Sequence, residues 1–203
     1  MTRRRLLVWR GLEEWLAETA DVQLDDGRLT ASGTQLGEEP IPYRLDYELT
    51  TGDRWVTERV TLTARGDGWD RRLTLARSSD GGWSGAIGDR GELPGPLAGL
   101  DHERTMVALA DVHGALDCDI AFSPLTNAMP ILRDGLLVGG EPREYLMAWI
   151  SVPDLAVTPS PQRYEPIDDR HVRFASLDSD FTADLELDAD GLVLRYPRLA
   201  ERV

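Results

Sequence analysis

Residues 117–133 read DCDIAFSPLTNAMPILR. In an extended chain, side chains two apart share a face. Asp117 and Asp119 therefore point one way, and Cys118, Ile120 and Phe122 the other. Two carboxylates so placed could hold a divalent cation or accept hydrogen bonds from sugar hydroxyls. Desolvated together, they could also split their pKa values and work as acid and base. The plainer alternative is two solvated acids on an outward face, or an aspartate making turn bonds. Arg133 closes the stretch and could pair with either acid or face an anionic headgroup. Asn127 is the only asparagine in the chain.

Other chemistries lack their residues. All 22 basic residues are arginine, which removes a Schiff-base lysine and a P-loop lysine. The single cysteine, Cys118, excludes an internal disulfide and a cysteine-based zinc cluster. His102, His113 and His171 have no metal-ligand neighbour at standard spacing, and no G-x-S-x-G elbow is present. A calcium loop framed from Glu186 would place Gly191 at its sixth position but Pro197 where a glutamate is required, so 187–193 reads as a hairpin. No catalytic residue, metal or cofactor is assigned. Six tryptophans and five tyrosines, Trp149 and Tyr47 among them, either fill a core or line a pocket.

These residues must be positioned by strands. Tyr43, Leu45, Tyr47 and Leu49 alternate with Arg44, Asp46 and Glu48. Val56, Val60 and Leu62 alternate with Thr57, Arg59 and Thr61, and Trp69, Leu73 and Leu75 share a third face. Turn signals at 50–53, 65–68 and 78–82 separate them, as in an antiparallel meander. Asp26-Gly27 and Asp190-Gly191 mark further hairpins, because Asp-Gly suits the positive φ angles of a tight turn. Residues 144–152, EYLMAWISV, are apolar on both faces and read as a buried central strand. Residues 91–100 read as a loop, 102–114 as a strand or short helix, and 171–177 as a strand. The best helix candidate lies in 125–133, after Pro124, with Pro130 limiting it to a turn or two. The expectation is one all-β domain over 1–203. It is a highly curved antiparallel sheet or a partly closed β-barrel or roll, with one or two short helices, since many strands must curl or close to hide their edges.

A chain of 203 residues with 41% hydrophobic content can bury a sizeable core. Its net charge of −14 repels nucleic acid and anionic lipid headgroups. The N-terminal apolar run, Leu6 to Trp9, is too short for a signal peptide or a membrane span. The expected location is the cytoplasm, with no integral membrane segment and no nucleic-acid partner. Nothing in the sequence names an oligomeric state.

The 117–133 stretch resembles the signature D-x-D-[hydrophobic]-x-F-[ST]-P-x-T-N-x-[LM]-P-I-x-R of the Putative glycolipid-binding family of bacterial and archaeal proteins. VWRGLE, YRLDYEL followed by DRW, AWISVPDL, QRY and GLVLRYPRL fit in order, so the resemblance covers nearly the whole chain. Two positions depart from it: Leu132 stands where the family usually has a first arginine, and Gly114-Ala115 where it often has Gly-Cys. The resemblance implies a highly curved antiparallel sheet around a hydrophobic cavity, similar to the periplasmic lipoprotein carriers. It implies a glycolipid or another amphipathic small molecule as ligand. Asp117, Asp119, Asn127 and Arg133 are then expected at the mouth, with Trp149 and Tyr47 lining the cavity. The alternatives are an enzyme using Asp117 and Asp119, or a structural or interaction protein with no small ligand.

Overall fold

A computed structural model describes residues 2–97 and 109–203. The first half is a meander of seven long strands: β1 (Arg3–Gly11), β2 (Leu16–Asp25), β3 (Arg28–Gly37), β4 (Tyr43–Thr51), β5 (Thr57–Gly66), β6 (Trp69–Arg77) and β7 (Trp83–Gly91). The second half holds β8 (Asp117–Ile120), β9 (Arg143–Ile150), β10 (Val157–Pro166), β11 (His171–Ser176), β12 (Thr182–Leu187), β13 (Val193–Tyr196) and β14 (Ala200–Arg202). All fourteen form one sheet, in the order β7-β6-β5-β4-β3-β2-β1-β14-β13-β12-β11-β10-β9-β8. Every neighbouring pair is antiparallel except β8 and β9, which run parallel.

Most local signals hold; Thr57, expected on the face opposite Val60 and Leu62, is instead buried with them, because the β4–β5 register shifts between Thr50 and Thr51. Gly27 and Gly191 both take φ of 76°, as the two Asp-Gly turns require. The predicted helix is real but begins later: Pro124–Asn127 is a 3₁₀ turn and Ala128–Arg133 the helix. Pro130 falls in the first turn of the α-helix, where a proline is best tolerated. The expected loop and the strand or helix over 91–114 lie partly outside the described residues. What is described shows a 3₁₀ turn at Gly95–Leu97 and a helical end at 109–111.

The sheet does not close as a barrel would: no strand pairing joins its edges, β7 and β8, among the described residues. Instead, the segment around β8 lies against the inner face of the first meander. Thr57 N–H donates to Leu116 O at 3.0 Å, Cys118 N–H to Thr57 Oγ1 at 3.1 Å, and Trp83 Nε1 to Ala115 O at 3.1 Å. Leu45, Leu49, Leu62 and Leu73 pack there with Cys118, Ile120, Met129 and Ile150 in one apolar cluster. Each such fully buried side chain contributes about 1.5–3 kcal/mol. The opposite face of β8 and β9 looks onto a second cluster built by Met147, Tyr164, Phe174, Leu185 and Tyr196 with Ile131 of the helix.

Candidate functional site

Parallel pairing of β8 with β9 sets Asp117 opposite Met147 and Asp119 opposite Trp149. Both acids thus share a face, as the i, i+2 spacing predicts, but they do different work. Asp117 is fully buried, and Arg133 reaches back from the helix to hold both its oxygens, Nη1 to Oδ1 at 2.8 Å and Nη2 to Oδ2 at 2.6 Å. Burial pushes the Asp117 carboxyl up, against the opposing pull of the guanidinium. The same guanidinium lies 5.4 Å from the centre of the Tyr145 ring.

Asp119 is half-buried and stands in a chain of polar groups. Its Oδ1 accepts from Thr126 Oγ1 and its Oδ2 from Gln162 Nε2, both at 2.7 Å. Tyr164 OH donates to Asn127 Oδ1 at 2.9 Å and lies 3.2 Å from Gln162 Oε1. Burial also raises the Asp119 carboxyl, and the Gln162 and Thr126 bonds oppose the rise.

Asp119, Asn127 and Gln162 open onto a cleft of about 880 Å³. It is lined by residues of the β1–β2, β3–β4, β11–β12 and β13–β14 turns and of β8 to β11. Trp15, Phe122, Trp149, Phe174 and Phe181 supply aromatic wall. Phe174 and Phe181 are held by edge and tilted contacts with Tyr164 and Tyr196. Phe122 has φ of 64°, a conformation that costs a non-glycine residue about 1 kcal/mol or more.

Of the six residues singled out from sequence, Asp119, Asn127 and Trp149 line this cleft. Asp117 and Arg133 do not; they are buried together beneath the helix and pin it to β8. Tyr47 is also off the cleft, and its hydroxyl donates to Glu18 Oε1 at 2.6 Å. Ser123, on the cleft wall, donates to the same oxygen at 2.7 Å. Among the described residues, Glu18 Oε2 is buried without a hydrogen-bond partner. Glu18 went unnoticed in the sequence, although LAETADVQL sets a carboxylate within the apolar stripe Leu16, Ala20, Val22 and Leu24. Gln162 falls in the QRY piece of the resemblance and Phe174 in the expected 171–177 strand, but nothing local marks either as a cleft residue, because that depends on the strands beside them.

Other candidates settle into structural roles. Cys118 is buried and its thiol is pushed up to about 12 by burial. The Asp188 carboxylate accepts the Asp190 and Leu192 amides at 2.9 and 3.0 Å, which makes 187–193 a hairpin turn. His171 pairs with Asp168 on the surface, and His102 lies outside the described residues. Among the described residues, no three histidine, cysteine or acidic side chains are grouped to hold a metal.

The family described as "Putative glycolipid-binding" matches residues 6–202. The chain belongs to this family. A crystal structure of a DUF1089 family protein (PA1994) from Pseudomonas aeruginosa is similar, with a TM-score of 0.71 at 29% identity over 96% of this chain and 95% of that one. No curated protein matches significantly. The family signature and the geometry now divide its letters: Asp117 and Arg133 fix the corner, while Asp119 and Asn127 reach the cleft. No helix among the described residues is long and apolar enough to cross a membrane.

Proposed function

We propose that this chain binds a glycolipid, or another amphipathic lipid-like molecule, in the cleft beside β8, and catalyses no reaction on it. One observation carries the reading: a single cleft of about 880 Å³ joins an aromatic wall to a row of oriented polar groups. That size falls within the range of roughly 300–1,000 Å³ typical of small-molecule sites. Aromatic faces suit both acyl chains and the apolar faces of sugar rings. Asp119, Asn127 and Gln162 supply hydrogen-bonding partners for sugar hydroxyls. Family membership supports the same class of ligand. An acid–base enzyme built on Asp117 and Asp119 loses support because both Asp117 oxygens are held by Arg133.

The test is organic extraction of the purified protein followed by mass spectrometry, with Phe122→Gly alongside. The expected result is a co-purifying lipid that the variant retains about tenfold less well, the equivalent of one aromatic contact of about 1.4 kcal/mol. Glycine suits the positive φ at 122, so the fold is kept. Protein that yields no lipid, and takes up none when incubated with a lipid extract, sinks the proposal.

A further inference from the structure

The cleft's charge and hydrogen-bonding pattern narrow the ligand. Five carboxylates line it: Glu13, Glu14, Glu38, Glu39 and Asp119. The first two sit on the β1–β2 turn and the next two on the β3–β4 turn, at the same end of the meander. Arg198 is the only basic side chain among the described lining residues, and it is already engaged. Its Nε donates to Glu13 at 3.2 Å, and its guanidinium lies 5.9 Å from the centre of the Phe181 ring. An anionic headgroup would therefore meet several like charges within about a Debye length and no unpaired cation among the described lining residues.

Hydrogen bonding agrees. Each Asp119 oxygen accepts one bond and has capacity for another. The rim glutamates are acceptors too. Four described lining serines can donate or accept, but the five carboxylates only accept when ionised, and that bias is complemented by a ligand that donates, as hydroxyl groups do. Phosphate and sulfate esters present mainly acceptors and would leave the carboxylates unsatisfied.

We propose that the cleft selects headgroups that donate hydrogen bonds and carry no negative charge, with an uncharged sugar as the occupant, and discriminates against phosphorylated or sulfated ones. This deepens the lipid-binding reading and rests on it.

The test titrates the full chain with two lipids that share a dioctanoylglycerol body. One bears galactose and the other phosphoglycerol. Tryptophan fluorescence reports binding, and methyl galactoside serves as the chain-free probe. At low salt the galactolipid is expected to bind about tenfold more tightly, a gap that narrows in roughly 0.5 M salt. The E38Q/E39Q double variant should gain affinity for the phospholipid by about threefold or more at low salt. Equal or tighter binding of the phospholipid overturns this inference and leaves lipid binding standing. So does a preference that ignores both salt and E38Q/E39Q, because charge is then not its cause. Binding of neither lipid and of no sugar sinks the lipid reading and this inference with it. Methyl galactoside that binds as tightly as the galactolipid supports the selectivity and assigns the site to free sugar.

Discussion

Glu18 stands between Leu16 and Ala20 on the buried stripe of β2 and accepts from Tyr47 and Ser123 on one oxygen. Burial raises its pKa from 4.5 to about 7, and the Tyr47 and Ser123 bonds only partly oppose the rise. Between those values the native state holds a proton that the unfolded chain has released. Stability therefore falls as pH climbs through this window, by at most about 3 kcal/mol in total. Glu18→Gln keeps an acceptor for Tyr47 and Ser123 and cannot ionise. Its stability relative to the parent should rise by up to about 3 kcal/mol between roughly pH 4 and pH 8. Urea unfolding across that range checks it, and parallel curves for the two proteins would refute it. The Asp117–Arg133 pair makes a different claim. Arg133→Met strands a buried carboxylate and should cost about 3–5 kcal/mol, whereas D117L/R133M should recover most of the loss. A double variant as unstable as the single would show that the pair is worth more than apolar packing. At this scale the sequence was half legible. The i, i+2 rule placed both acids on one face, but which of them meets the cleft depends on where the helix folds back. That is settled by Arg133 reaching Asp117, a contact across sixteen residues that no local spacing encodes.

Strands were the most legible elements, because burial on one face imposes an alternation of period two. The pattern in β4, with Tyr43, Leu45, Tyr47 and Leu49 buried, is the expectation unchanged. Local spacing does not disclose what lies opposite. Gly33 pairs with Tyr47, Gly37 with Tyr43, and Gly66 with Trp69, and in each case the ring covers the glycine across the strand gap. A Cβ on Gly33 would sit 2.2 Å from the Tyr47 ring. Gly33→Ala must displace that ring and with it the hydroxyl that bonds Glu18, so it should destabilise by about 1–3 kcal/mol. Gly88 in β7 is the control, since a methyl there meets nothing within 4 Å. Gly88→Ala should be neutral or stabilise by up to about 1 kcal/mol, through the reduced entropy of the unfolded chain. Thermal unfolding of both variants decides the matter. Equal effects would mean that backbone propensity, rather than the ring above it, explains glycine at 33.

At the level of the whole molecule, the sheet is two meanders joined where the ends of the chain meet. β14 lies between β1 and β13, with Ala200 opposite Gly11 on one side and Tyr196 on the other. Pairing between strands almost the full chain apart leaves no trace in periodicity. The all-β class was therefore legible, but the seam and the parallel β8–β9 contact were not. The halves are also tied a second way. Residues of β8 to β10 share an apolar cluster with β1 to β6, and Trp9 Nε1 donates to Val193 O at 2.9 Å. These two ties predict different outcomes when one is cut. Deleting residues 200–203 removes the seam but leaves the shared cluster. Stability should drop by about 3–5 kcal/mol, from a few ladder bonds of about 1 kcal/mol each plus lost packing. Unfolding should nevertheless remain one transition, with tryptophan fluorescence and far-ultraviolet circular dichroism coinciding. If the two signals separate into distinct steps, the seam rather than the shared core makes the halves cooperative. The cleft, bounded by turns from both halves, should then lose its ligand at the first step.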